Sequence, residues 1–217
     1  MGYKFSKIIV LAGHYGCGKT NLAANLALEM SQTGRVAVAD IDTVNPYFRT
    51  ADFKEEFAKR GIRLVTTEYA NTNLDIPVLN FDMEGIADSV DYMIIDAGGG
   101  SDGAASLGRY REVLSKQNAE LFYVFNMYRG LSVQETAQAL SEIENACKMK
   151  CTALVNNSNL GAITTSEDII KTESFEKELS DVTGLPIAMR CLPKQASSQR
   201  PNDILIERMV LLPWERV

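Results

Sequence analysis

Eight residues, Gly13-His14-Tyr15-Gly16-Cys17-Gly18-Lys19-Thr20, constrain this chain more than any other stretch. They follow the apolar run Ile8-Ile9-Val10-Leu11-Ala12, which reads as a buried strand. They precede residues 21–30, where Leu22, Leu26 and Met30 share one helical face. A glycine-rich turn between strand and helix, closed by lysine and threonine, is a phosphate cradle. Its glycines let successive backbone N–H groups turn inward around an anion, and the helix N-terminus adds partial positive charge. Lys19 is placed to reach β- and γ-phosphates, and Thr20 to offer its hydroxyl to Mg²⁺. The candidate nucleotide-binding set is therefore Gly13, His14, Tyr15, Gly16, Cys17, Gly18, Lys19 and Thr20, with Asn21 opening the helix.

The rest of the chain repeats the strand–helix alternation. Apolar runs at 7–12, 35–39, 62–66, 92–95, 119–126, 151–156 and 186–191 read as strands. Most are continuous rather than alternating, the pattern of parallel strands covered on both faces. Ser132-Val133-Gln134-Glu135 is a capping box opening a helix with Val133, Ala137, Leu140 and Ile143 inward. A later helix over about 166–182 ends before Gly184 and Pro186. The expected fold is α/β: a doubly wound, mostly parallel sheet of about seven strands with helices on both faces. Residues 1–217 suit one nucleotide-binding domain, with ligands at the carboxyl ends of the strands.

Composition removes several function classes. A formal charge of −6 argues against direct nucleic-acid binding. The 4 cysteines, Cys17, Cys147, Cys151 and Cys191, have no C-x-x-C spacing, and with 1 histidine in the chain they argue against a structural zinc site. Cys147 and Cys151 read as core thiols, whereas Cys17 lies inside the phosphate loop, where alkylation or oxidation is expected to block nucleotide. The Ile8 run is too short to span a bilayer, so a cytoplasmic protein is expected. Residues 204–214 are apolar, but Glu207, Arg208, Glu215 and Arg216 balance in charge. That favours a packing or dimer-contact segment over a membrane anchor.

Carboxylates complete the site. Asp96 ends the strand Tyr92-Met93-Ile94-Ile95 and precedes Ala97-Gly98-Gly99-Gly100. An acid at that strand end can hold the Mg²⁺ shell, and the D-x-x-G spacing puts the Gly99 N–H where it can sense a γ-phosphate. Asp40-Ile41-Asp42 follows the second strand, and alternate positions carry both carboxylates to one side. One can support the metal while the other orients water. Asn45-Pro46-Tyr47-Phe48-Arg49 continues as a loop suited to a nucleotide-sensing switch. Asn156-Asn157 ends the sixth strand where a base is expected. An amide can pair with a purine edge, and without the guanine-reading N-K-x-D pattern adenine is preferred.

Together these motifs resemble the MinD/ParA branch of P-loop nucleotide-binding proteins (the CobQ/CobB/MinD/ParA, deviant Walker A class). The resemblance implies Lys19 and Thr20 on phosphate and Mg²⁺, Asp42 positioning the hydrolytic water, Asp96 holding the metal's water shell, and Asn156 at adenine; Asp40 is the metal-side candidate of the D-x-D pair. It implies a slow Mg²⁺-dependent ATPase switch that cycles between ATP and ADP, forms an ATP-dependent homodimer and acts on a protein partner. One departure stands out: the family's signature lysine after the first glycine is His14 here. Two other readings share the fold. One is a small-molecule ligase or kinase resembling dethiobiotin synthetase, for which Arg49, Arg109, Arg111 and Arg129 are candidate acid-binding groups. The other is a metal-cofactor maturation ATPase.

Overall fold

The computed structural model describes residues 3–42, 53–66, 82–197 and 200–210. The loop proposed as a switch, Asn45 to Arg49, and the last residues of the apolar tail lie outside the described residues.

Strands β1 (Ile8–Gly13), β2 (Val36–Asp40), β3 (Arg63–Thr66), β4 (Tyr92–Asp96), β5 (Glu120–Phe125), β6 (Ala153–Asn156), β7 (Ile187–Pro193) and β8 (Asp203–Ile206) form one sheet. Their order is β3-β2-β4-β1-β5-β6-β7-β8, and neighbours run parallel throughout. The first seven coincide with the expected strands; β8 is additional. It was hidden because only Ile204-Leu205-Ile206 is apolar there and the run continues past the strand. Its start, Asp203, is fixed instead by a buried ion pair with Arg190 on β7.

Helices α1 (Lys19–Met30), α2 (Lys54–Lys59), α3 (Met83–Ser89), α4 (Gly100–Ala105), α5 (Arg111–Lys116), α6 (Val133–Cys147) and α7 (Ser166–Thr183) cover both faces. Because strand side chains alternate, Ile9 and Leu11 face Leu22, Leu26 and Met30 of α1, together with Phe57 of α2. Ile8, Val10 and Ala12 face the other way, onto Ile86, Leu114, Leu140, Ile143 and Leu179 of α3, α5, α6 and α7. Cys147 and Cys151 belong to this second core layer. The capping box at Ser132 and Glu135 forms as read, and α7 opens on a second one at Thr165 and Asp168.

Topology places the site. From β1 the chain winds towards β2 and β3, returns to β4 beside β1, then crosses to β5 on the opposite flank. The connections diverge around β1, opening a crevice at the carboxyl ends of the strands. The Gly13–Thr20 loop fills that position.

Candidate functional site

The loop is held from below. A Cβ on Gly13 would lie 2.2 Å from the Val124 carbonyl oxygen of β5, and one on Gly18 would lie 2.3 Å from Asn157 Nδ2. Gly18 also has φ of 93°, a conformation glycine adopts without a Cβ penalty. It begins α1 without a side-chain cap, and the first turn of α1 carries no acid. The long helices α6 and α7 carry capping boxes. The positive end of α1 is thus left for an anion.

Lys19 is 7% exposed, and its ammonium donates to the carbonyls of Gly13 at 3.3 Å and His14 at 3.2 Å. Asp40 and Asp96 are buried and lie opposite each other on β2 and β4. Burial and the adjacent Asp40 charge push the Asp96 carboxyl up, to about 7, against the opposing pull of the Lys19 charge and the Thr20 hydroxyl donating to it. Asp40 accepts the backbone N–H of Asp42 at 3.1 Å, which fixes the bend that carries Asp42 to the cavity wall. Gly99 lines the same cavity; a Cβ there would stand 2.6 Å from the Tyr15 ring, so glycine lets the two loops touch.

The cavity measures about 910 Å³, a size that takes a nucleotide. Its phosphate side is formed by Tyr15, Gly16, Cys17, Gly18, Lys19 and Thr20, with Asp42 and Gly99. Its far side is built from the strand ends beyond β1. Asn126, Tyr128 and Arg129 follow β5, Asn157, Asn159 and Leu160 follow β6, Pro193, Lys194 and Gln195 end and follow β7, and Glu207 and Arg208 follow β8. Among the described residues no group of three or more His, Cys, Asp or Glu side chains could hold a metal ion. Mg²⁺ needs no such cage, because it keeps several waters and takes phosphate oxygens plus one or two carboxylates. Thr20, Asp40 and Asp96 fit such a partial shell, and a divalent cation would relieve the repulsion between the two buried acids.

Four expectations change. Asn156 is 1% exposed and does not line the cavity. Its amide donates to Thr172 at 3.1 Å and Glu176 at 2.8 Å on α7, and its oxygen accepts the Ser158 N–H. Its side chain is therefore not presented to the cavity, where a base was expected to meet it. The neighbouring Asn157 turns to the loop and donates to the Cys17 carbonyl at 2.6 Å. Asn21 lines the cavity, but its side chain ties down the segment after β8, donating to the Glu207 carbonyl and accepting from Met209 and Val210. His14 lends Lys19 its carbonyl and is not among the lining residues. Cys17 is 1% exposed, and burial pushes its thiol pKa up, so reagents meet a shielded, protonated sulfur rather than a reactive thiolate.

The sequence reading missed Asn157 as the loop support and Lys194 and Glu207 as cavity walls. The continuous apolar run of β6 gives no alternation from which to tell the inward asparagine from the outward one. The β8 walls required the eighth strand. Of the four arginines weighed, Arg129 reaches the cavity; Arg109 and Arg111 do not line it, and Arg49 lies outside the described residues. Among the described residues no helix is long and apolar enough to cross a membrane.

The family model described as CbiA, the CobQ/CobB/MinD/ParA nucleotide binding domain, matches residues 8–179. No curated protein matches the chain. Among solved structures, it is similar to the cell division protein FtsY of Thermotoga maritima at 18% identity, with a TM-score of 0.63 over 91% of this chain and 66% of that one. FtsY of Mycoplasma mycoides matches at 20% identity and a TM-score of 0.60, over 88% of this chain and 61% of that one. The Signal Recognition Particle 54 kDa protein of Aeropyrum pernix, in complex with GDP, matches at 17% identity and a TM-score of 0.53, over 86% and 41%. The chain thus spans about three-fifths of the Mycoplasma protein's length, and at these identities the likeness is one of fold.

Proposed function

The chain belongs to the CobQ/CobB/MinD/ParA family of nucleotide-binding domains, and we propose that it is an ATP-binding, slowly hydrolysing, Mg²⁺-dependent molecular switch. One observation carries the proposal: the Lys19 ammonium is buried at the cavity wall, held by two loop carbonyls beside an uncapped helix start. Neutral carbonyls are weaker partners for a buried cation than a phosphate oxygen. An incoming β,γ-phosphate brings charged oxygens within direct hydrogen-bond reach of the ammonium.

Placement supports the following division of roles. Backbone N–H groups of the loop and the first turn of α1 bind the phosphates, and Lys19 bridges the outer two. Asp42, half-buried at the wall, is positioned to orient a water towards the terminal phosphate. Thr20, Asp40 and Asp96 would hold Mg²⁺, which when bound neutralises charge between the β- and γ-phosphates. Gly99, in contact with Tyr15, links the loop after β4 to the phosphate loop, so loss of the γ-phosphate is felt in both.

Adenine is favoured over guanine because the loop after β6, Asn157-Ser158-Asn159-Leu160, offers no carboxylate to accept from guanine N1–H and the 2-amino group. ATP-dependent homodimerisation and recognition of a protein partner belong to the same reading.

The test combines turnover with light-scattering mass, with and without ATP, GTP and Mg²⁺. Slow Mg²⁺-dependent hydrolysis of ATP in preference to GTP supports the proposal, and a mass that doubles with ATP supports its dimeric form. Absence of nucleotide binding overturns it; hydrolysis by a chain that stays monomeric removes the dimer.

A further inference from the structure

We infer that Arg129 is the cation that closes the phosphate site from within the same chain, holding the outer phosphates against the loop; the inference rests on the nucleotide reading above. Its guanidinium lies over Gly16. A Cβ at Gly16 would stand 3.4 Å from Arg129 Cζ and 3.5 Å from Nε, so the bare glycine makes room for the planar head. Arg129 and Lys19 line the same cavity.

The side chain is exposed, but the backbone that carries it is pinned. The short turn Met127–Arg129 is capped by Asn126, whose oxygen accepts the Tyr128 N–H at 3.0 Å, and it ends on Gly130 in the left-handed conformation. Met127 N–H donates to Ser158 Oγ at 2.9 Å, and the Tyr128 hydroxyl donates to the Asp168 carbonyl at 2.8 Å. These bonds anchor the turn both to the loop after β6 and to α7.

Charge completes the argument. Lys194, on the far wall, already sits 2.5 Å from the Glu207 carboxylate. Among the described residues no acid pairs with Arg129. A guanidinium is permanently charged, and its fork of donors matches phosphate oxygens two at a time. Since His14 is not at the cavity wall, Arg129 supplies from the β5 side a positive charge that the loop's second position does not.

The full-length chain is titrated with Mg²⁺-ATP, Mg²⁺-GTP and inorganic tripolyphosphate as wild type, Arg129→Ala and Arg129→Lys. Losing a charge-assisted phosphate contact should weaken ATP and tripolyphosphate binding by about 10- to 100-fold in Arg129→Ala, with Arg129→Lys retaining part of it. Wild-type affinity in Arg129→Ala contradicts the inference, as does an equal loss in both variants, which would mark the side chain as a shape-filling support. A wild type that binds ATP while Arg129→Ala matches it overturns the inference and leaves the nucleotide reading standing. A wild type that binds tripolyphosphate through Arg129 but neither nucleotide overturns that reading and keeps Arg129 as a phosphate ligand.

Discussion

Two parts of this sheet bury charge, and they do so in different ways. At the β7–β8 flank, Arg190 meets Asp203 through two hydrogen bonds of 2.8 and 3.0 Å, with both side chains almost wholly buried. Glu173 joins Arg190 to Arg200, Arg200 meets Glu176, and Glu176 accepts from Asn156, so the network runs from β8 through α7 to β6. Arg190 grips Asp203 as a fork, and Arg200 reaches Glu173 and Glu176 through one nitrogen each. At the carboxyl ends of β1, β2 and β4 the arrangement differs: the Lys19 ammonium donates to two carbonyls, and the buried Asp40 and Asp96 lie side by side, with the Lys19 charge pulling on Asp96. Ion pairs closed within the chain serve architecture, whereas two acids buried side by side next to a lysine mark where a charged ligand enters.

That contrast can be broken at either end. The largest effect is expected at the β7–β8 flank. Asp203→Ala removes the two-bond partner of the buried Arg190, leaving it Glu173, and should cost about 3 kcal/mol of stability in urea unfolding. The pair Arg190→Met with Asp203→Leu should recover most of that loss, and a single variant as stable as wild type would remove the network's structural role. At the other end, Asp42→Ala should lower ATP turnover about 100-fold or more while leaving ATP affinity within a few-fold. Unchanged turnover would take Asp42 out of the reaction.

A smaller effect concerns pH. Asp96 carries a folded-state pKa raised from 3.8 to about 7, so the folded chain holds a proton that the unfolded chain releases across that window. In Mg²⁺-free, nucleotide-free protein this residue's contribution to stability therefore falls as pH rises from about 4 to 7. Asp96→Asn should flatten that slope and stabilise the empty protein at neutral pH, while weakening Mg²⁺-dependent ATP binding. A slope unchanged by Asp96→Asn would show that burial and the Asp40 charge do not raise the Asp96 carboxyl as described.

Much of this was legible before any coordinates. Seven strands, the capping box at Ser132 and the convergence of the loop with Asp42 and Gly99 follow from apolar periodicity and glycine spacing, which are local signals. What escaped was long-range. Whether Asn156 or Asn157 faces the loop depends on strand parity that a fully buried strand does not display. The partners of Asn21 lie 186 residues or more along the chain, in the segment after β8. The cover that Arg129 gives Gly16 depends on β5 lying beside β1, a matter of strand order.

The central claim is that Lys19 is a cation held in readiness for phosphate. Calorimetric titration of wild type and Lys19→Ala with Mg²⁺-ATP tests it most directly. The account predicts one nucleotide per chain for the wild type and an affinity at least about 100-fold weaker for a variant that is still folded. Equal affinity in the two proteins, or no binding by the wild type, would contradict it.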